Sequence, residues 1–112
     1  MTETRTFTAG DIVFRQGDPA NGEAYLVHEG AVEVRRREDG EERLLRTLEK
    51  GDLLGEVALF RSAPHSATAI AVEPVALLVI SENRLENMVR TNPELALALI
   101  RQLARMAAGE GR

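Results

Sequence analysis

Apolar and polar positions alternate in short bursts along the first 80 residues. In Ala31–Arg37, Val32 and Val34 point one way while Glu33 and Arg35 point the other, the period-two signature of a half-buried strand. Comparable β-prone runs lie at Ile12–Gln16, Ala24–His28, Arg43–Leu48, Ser66–Val72 and Val75–Ile80. Turn signals separate them: Gly10-Asp11, Gly17-Asp18-Pro19, Asn21-Gly22, Gly30, Asp39-Gly40 and Gly51-Asp52. Asp39-Gly40 predicts a tight hairpin, because both residues tolerate positive φ. Short strands with turns every few residues predict an antiparallel sandwich or barrel.

The pattern changes near Ser81. Ser81 can cap a helix whose apolar residues, Leu85, Met88 and Val89, follow helical spacing. Asn92-Pro93 ends that helix and starts another, with Asn92 as N-cap and Pro93 at the first helical position. The second helix is predicted to run to about Ala108, where Gly109 stops it. Its apolar face is broad (Leu95, Ala96, Leu99, Ile100, Leu103, Ala104, Met106), and its polar face is narrow (Glu94, Arg101, Gln102, Arg105). Two readings fit: the helix packs one wide face on its own barrel, or it covers the barrel and also meets a second copy of the chain.

The 112 residues predict one domain, with a β part over about 5–81 and helices over about 82–108. Charged residues make up 29% of the chain and hydrophobic ones 44%, an ordinary globular composition. No apolar run approaches the roughly 20 residues of a membrane span, and Met1–Thr8 lacks the apolar stretch of a signal peptide. The expectation is a cytoplasmic protein without membrane contact. There is no cysteine, and His28 and His65 form no ligand spacing, so no metal site is expected. A net charge of −4 argues against nucleic-acid binding. The basic run Arg35–Arg37 is followed at once by Glu38, Asp39, Glu41 and Glu42 and reads as solvated hairpin charge. No nucleophile motif of the Gly-x-Ser-x-Gly kind and no phosphate loop is present, so no catalytic residue is assigned and an enzyme is not expected.

One stretch interrupts the strand pattern, from Gly55 to Thr68. Glu56–Phe60 suits a single helical turn, with Gly55 before it and Pro64 beyond it. The first N–H groups of such a turn have no partner within it, and the small residues Ala58, Ser66 and Ala67 leave room for a ligand. Two readings stay open: an anion pocket, or a capped turn closing a barrel opening.

Gly55-Glu56-Val57-Ala58-Leu59, followed by Pro64-His65-Ser66-Ala67-Thr68, resembles the phosphate-binding cassette of the cyclic nucleotide-binding domain family. Phe7-x-x-Gly10-Asp11-x-Val13-Phe14-x-x-Gly17-Asp18 is similar to that family's opening strands. Tyr25-Leu26-Val27-x-x-Gly30-x-Val32 is similar to its central pair, and Gly51-Asp52-x-x-Gly55-Glu56 to the run into its cassette. The resemblance spans roughly residues 5 to 108. It implies an antiparallel β-roll, a jelly-roll-like double-stranded barrel, with a short cassette helix and two C-terminal α-helices. It also implies a regulatory sensor that binds a cyclic nucleotide, cAMP or cGMP, needs no other cofactor, and signals by moving its C-terminal helices. By the same resemblance Glu56 takes the ribose hydroxyl, and Gly55, Val57, Ala58, Pro64, His65, Ser66 and Ala67 surround the ligand, with backbone N–H groups near 57–58 and 66–67 meeting the phosphate.

The family's usual residue after the proline is arginine, and here it is His65. Replacing a charged, forked donor by neutral imidazole costs on the order of 2–4 kcal/mol of phosphate binding. Arg61, within the loop, is a candidate substitute cation; its other reading is a solvated charge. The rival expectation is a degenerate β-roll that docks or dimerises without nucleotide. A homodimer through the C-terminal helix is compatible with both. Relatives that bind DNA do so through a helix-turn-helix that nothing in these 112 residues resembles.

Overall fold

The computed structural model describes residues 3–107, apart from the side chains of Val57, Phe60 and residues 105–107. Among the described residues the order is β1 (Glu3–Phe7), β2 (Ile12–Phe14), β3 (Glu23–Glu29), β4 (Val32–Glu38), β5 (Glu41–Leu48), β6 (Leu53–Leu54), α1 (Glu56–Arg61), β7 (Thr68–Ala71), β8 (Val75–Ser81), α2 (Glu82–Thr91) and α3 (Pro93–Ala107). The strands form two four-stranded antiparallel sheets, ordered β1-β8-β3-β6 and β2-β7-β4-β5. This is the expected β-roll with C-terminal helices.

The six predicted strand runs all form. Two strands were not among those runs: β1, whose Thr-Arg-Thr core has little apolar signal, and β6, only two residues long.

Two apolar layers hold the roll together. The first lies between the sheets and contains Tyr25, Val27, Val32, Val34, Leu54, Ala69, Ala71, Val75, Leu77 and Val79. The second lies between the outer face of the β1-β8-β3-β6 sheet and the helices, and contains Ala24, Leu53, Leu59, Ile80 and Leu85 with Leu26, Met88, Val89 and Leu99 against them. Strands β3 and β8 are thus covered on both faces, which is why their sequences run almost continuously apolar. Fully burying one side chain such as Leu85 stabilises by about 1.5–3 kcal/mol, so the second layer anchors α2 firmly.

Three turns repeat one device. The carboxylates of Asp11, Asp18 and Asp52 accept the backbone N–H of Thr8, Arg15 and Glu49 at 2.8–2.9 Å, and each Asp N–H donates back to the same residue's carbonyl at 2.9–3.0 Å. Each pair closes a four-residue loop whose glycine sits at positive φ. The helix boundaries also match the expected caps. Ser81 Oγ accepts from Arg84 N at 3.3 Å, and Asn92 Oδ1 from Leu95 N at 3.2 Å. The predicted stop at Ala108 and Gly109 lies outside the described residues.

The face of α3 differs from the expectation in one respect. Gln102, assigned to the polar face, is buried at 4% exposure, while Leu97, Ile100 and Leu103 are exposed at 46%, 61% and 41%. Leu95, Leu99 and Gln102 fall on one side by their i, i+4, i+7 spacing, and that side meets the roll.

Candidate functional site

Helix α1 is held between two left-handed residues, Gly55 at φ 80° and Ser62 at φ 50°. A Cβ at Gly55 would meet only ordinary contacts, so its positive φ, not lack of space, calls for glycine. The next arm, from His65 to Ala71, alternates: His65, Ala67, Ala69 and Ala71 are buried, and Pro64 and Ser66 are exposed. The Gly17-Asp18 turn fixes this alternation, since His65 N donates to the Asp18 carbonyl at 2.9 Å and Gly17 N donates to the His65 carbonyl at 2.8 Å. His65 is thereby turned inward, and its ring stacks on Phe14 with centroids 3.8 Å apart and planes at 15°.

Between α1 and this arm lies a cleft lined by Gly55, Glu56, Ala58, His65, Ser66 and Ala67, six of the eight residues expected at the site. The other two stand differently. Pro64 points to the opposite side, into a separate groove beside Pro19, Leu59 and Glu82, because the clamp on residue 65 puts its neighbour outward. The side chain of Val57 lies outside the description. Arg61 is exposed and does not line the cleft.

The remaining wall comes from residues the sequence reading did not assign: Phe14, Val34, Arg36, Leu45, Arg46 and Leu54. Arg36 belongs to the run expected to be solvated, yet Val32, Val34 and Arg36 share one strand face, and that face is the interior. Its Nε donates to the Ser66 carbonyl at 2.9 Å, while Arg35 and Arg37 pair with Glu33 and Glu42 on the outside. Arg46 arrives through a bulge. Val34 pairs with Arg46 and Arg35 with Leu44, leaving Leu45 as the extra residue, so that Leu45 and Arg46 both face the cleft.

Glu56 is buried at 2% exposure. Its Oε1 accepts from Gln102 Nε2 at 3.1 Å, and its Oε2 has no hydrogen-bond partner among the described residues. Burial pushes its carboxyl above the ordinary range, opposed by its own backbone N–H, the Arg46 charge and the Gln102 amide. Burial also holds the His65 imidazole below its ordinary value, against a smaller upward pull from Asp18. The cleft is open to solvent, with a volume of about 50 Å³ accessible to water, room for a few waters. No group of three or more His, Cys, Asp or Glu among the described residues is placed to hold a metal. No described helix is long and apolar enough to cross a membrane.

The cAMP-activated, CRP-like global transcriptional regulator of Mycobacterium tuberculosis is 31% identical over 100 residues, covering 88% of this chain and 44% of the regulator. The chain therefore spans less than half the length of that relative. The catabolite activator protein of Thermus thermophilus superposes with a TM-score of 0.80 at 34% identity, over 96% of this chain and 51% of the other. The cAMP-bound form of the EAL enzyme Bd1971 superposes at 0.71 with 28% identity, over 94% of this chain and 28% of the other. The family model of the cyclic nucleotide-binding domain matches residues 4–92, and with the roll, the cassette helix and the cleft all in place, this chain belongs to that family.

Proposed function

We propose that the chain is a regulatory module that binds a cyclic nucleotide, cAMP or cGMP, in the cleft between α1 and residues 65–67, and passes the event on through α2 and α3. One observation carries this reading: the buried Glu56 carboxylate keeps an unpartnered oxygen at the cleft. A buried acceptor without a donor is costly, and a ligand hydroxyl would relieve it. In this reading Glu56 Oε2 accepts the ribose hydroxyl. The cAMP-bound state of the Bd1971 neighbour supports the ligand class.

The narrowness of the cleft indicates how binding would be transmitted. In this reading the walls of the narrow, solvent-open cleft part as a ribose-phosphate enters. One of those walls, Glu56, is tied to α3 by Gln102. Widening the cleft strains or breaks that tie, and α3 moves. This is a population shift between a closed and an open cassette, with the ligand favouring the open one.

A second reading is a β-roll that dimerises without nucleotide, and the exposed Leu97, Ile100 and Leu103 on α3 favour it. Their i, i+3, i+6 spacing forms an apolar stripe suited to the same stripe of a second copy. A thermal-shift screen with cAMP, cGMP and cyclic dinucleotides separates the two. Ligand at a hundred times its dissociation constant stabilises by about 2.7 kcal/mol, and the first reading expects that shift with cAMP or cGMP. No shift with any of them at millimolar concentration, together with a dimer on sizing, selects the second.

A further inference from the structure

We propose that the cation for the ligand phosphate is supplied by Arg36 and Arg46 of the β4–β5 hairpin, taking over from cassette position 65. The inference rests on the cyclic-nucleotide reading above and assigns to it two residues from outside the cassette.

His65 is ill suited to the task. Its ring lies flat on Phe14 and its backbone is clamped on both sides by the Gly17-Asp18 turn. A stacked imidazole has one ring face covered and offers at most one donor when neutral. Arg61 is exposed and outside the lining.

The hairpin arginines are placed where position 65 falls short. Arg36 reaches the cassette arm itself: Nε lies 2.9 Å from the Ser66 carbonyl and Nη2 lies 3.5 Å from Ser66 Oγ. Its Nη1 is shared with Glu38 at 3.2 Å. Its guanidinium therefore lies beside residue 66, next to the arm on which the family carries its arginine. Arg46 faces the cleft because of the bulge at Leu45, and its charge acts on Glu56 across the space. Without the bulge, Leu45 and Arg46 would point to opposite faces of β5.

The charge balance fits one ligand class. With Glu56 ionised and His65 neutral, the lining itself carries one excess positive charge; Glu38, which pairs with Arg36 Nη1, lies outside that lining with its side chain 44% exposed. A cyclic phosphodiester carries one negative charge, and a guanidinium offers it a planar fork of donors. The Arg46 charge, which favours the ionised Glu56 carboxylate, would also offset repulsion between that carboxylate and the anion.

Calorimetric titration of the full chain with cAMP and cGMP tests the assignment, comparing wild type, Arg36→Gln, Arg46→Gln, Arg46→Lys and Arg61→Gln, each checked for an unchanged melting temperature. Loss of a charge-assisted contact predicts at least about tenfold weaker binding for Arg36→Gln and for Arg46→Gln. Arg61→Gln should stay within about twofold. Arg46→Lys, which keeps the charge if the glutamine variant fails to fold, should lose less than Arg46→Gln or, where only lysine folds, bind more weakly than wild type through loss of the fork. Wild-type binding with undiminished affinity in both the position-36 and position-46 variants overturns the inference and leaves the cyclic-nucleotide reading intact. A wild-type chain that binds neither nucleotide overturns both.

Discussion

Gln102 clasps Leu53 and Glu56 together: its Nε2 donates to the Leu53 carbonyl at 2.8 Å and to Glu56 Oε1 at 3.1 Å, while its Oε1 accepts from Leu53 N at 3.4 Å. A single buried amide of α3 thus satisfies the short strand β6 and holds the residue that opens α1. The last helix is joined to the cassette by hydrogen bonds as well as by apolar packing.

Removing that clasp should cost stability. Gln102→Ala strands the Leu53 N–H and carbonyl and leaves Glu56 without its side-chain donor. Each orphaned buried group carries a penalty of about 1–3 kcal/mol, so urea denaturation should show a loss of at least about 1 kcal/mol. A variant as stable as wild type contradicts the clasp.

Glu56 gives stability a dependence on pH. Its folded-state pKa is raised by burial, so between its unfolded value near 4.5 and its folded value the native chain holds more protons than the unfolded chain. Its contribution is therefore complete below about pH 4.5 and is lost as pH rises through the folded pKa. Glu56→Gln removes this dependence. The stability of the variant relative to wild type should grow as pH is raised from 4.5 towards neutrality, and urea midpoints across that range measure it. A difference that is flat with pH contradicts the raised pKa.

Most of the fold was legible because its signals are local. Alternation at Val32–Val34, Gly-Asp punctuation and the Ser81 and Asn92 caps each depend on a few neighbouring residues. The cassette was legible as a spacing, and six of its expected residues meet at the cleft. What escaped is non-local. Arg46 turns inward only because its strand bulges against β4, and Gln102 is buried only because its side of α3 lands on β6. Arg36 was readable, since it continues the Val32, Val34 face, but its acidic neighbours masked it. Pro64 shares the cassette spacing, but the clamp on the next residue turns it away.

His65 provides a second pH effect of opposite sign. Burial lowers its folded pKa, so its contribution to stability is present above its ordinary value of about 6.5 and is lost as pH falls through the folded pKa. In an NMR titration of the free protein its ring should titrate below that value. A phosphate bound in the same cleft would draw the pKa upward, so affinity for cAMP should rise as pH falls from about 8 to 6. Calorimetry giving constant affinity across that range contradicts a phosphate beside His65.

The measurement closest to the central claim is an amide chemical-shift titration of the labelled chain with cAMP. Saturable shifts should concentrate at Gly55–Ala58 and Ser66–Ala67, with a second, smaller group around Leu53 and Gln102 as α3 responds. Saturation with shifts confined to a separate groove lined by Ile12, Arg15 and Ile70, or no shifts at millimolar ligand, contradicts it.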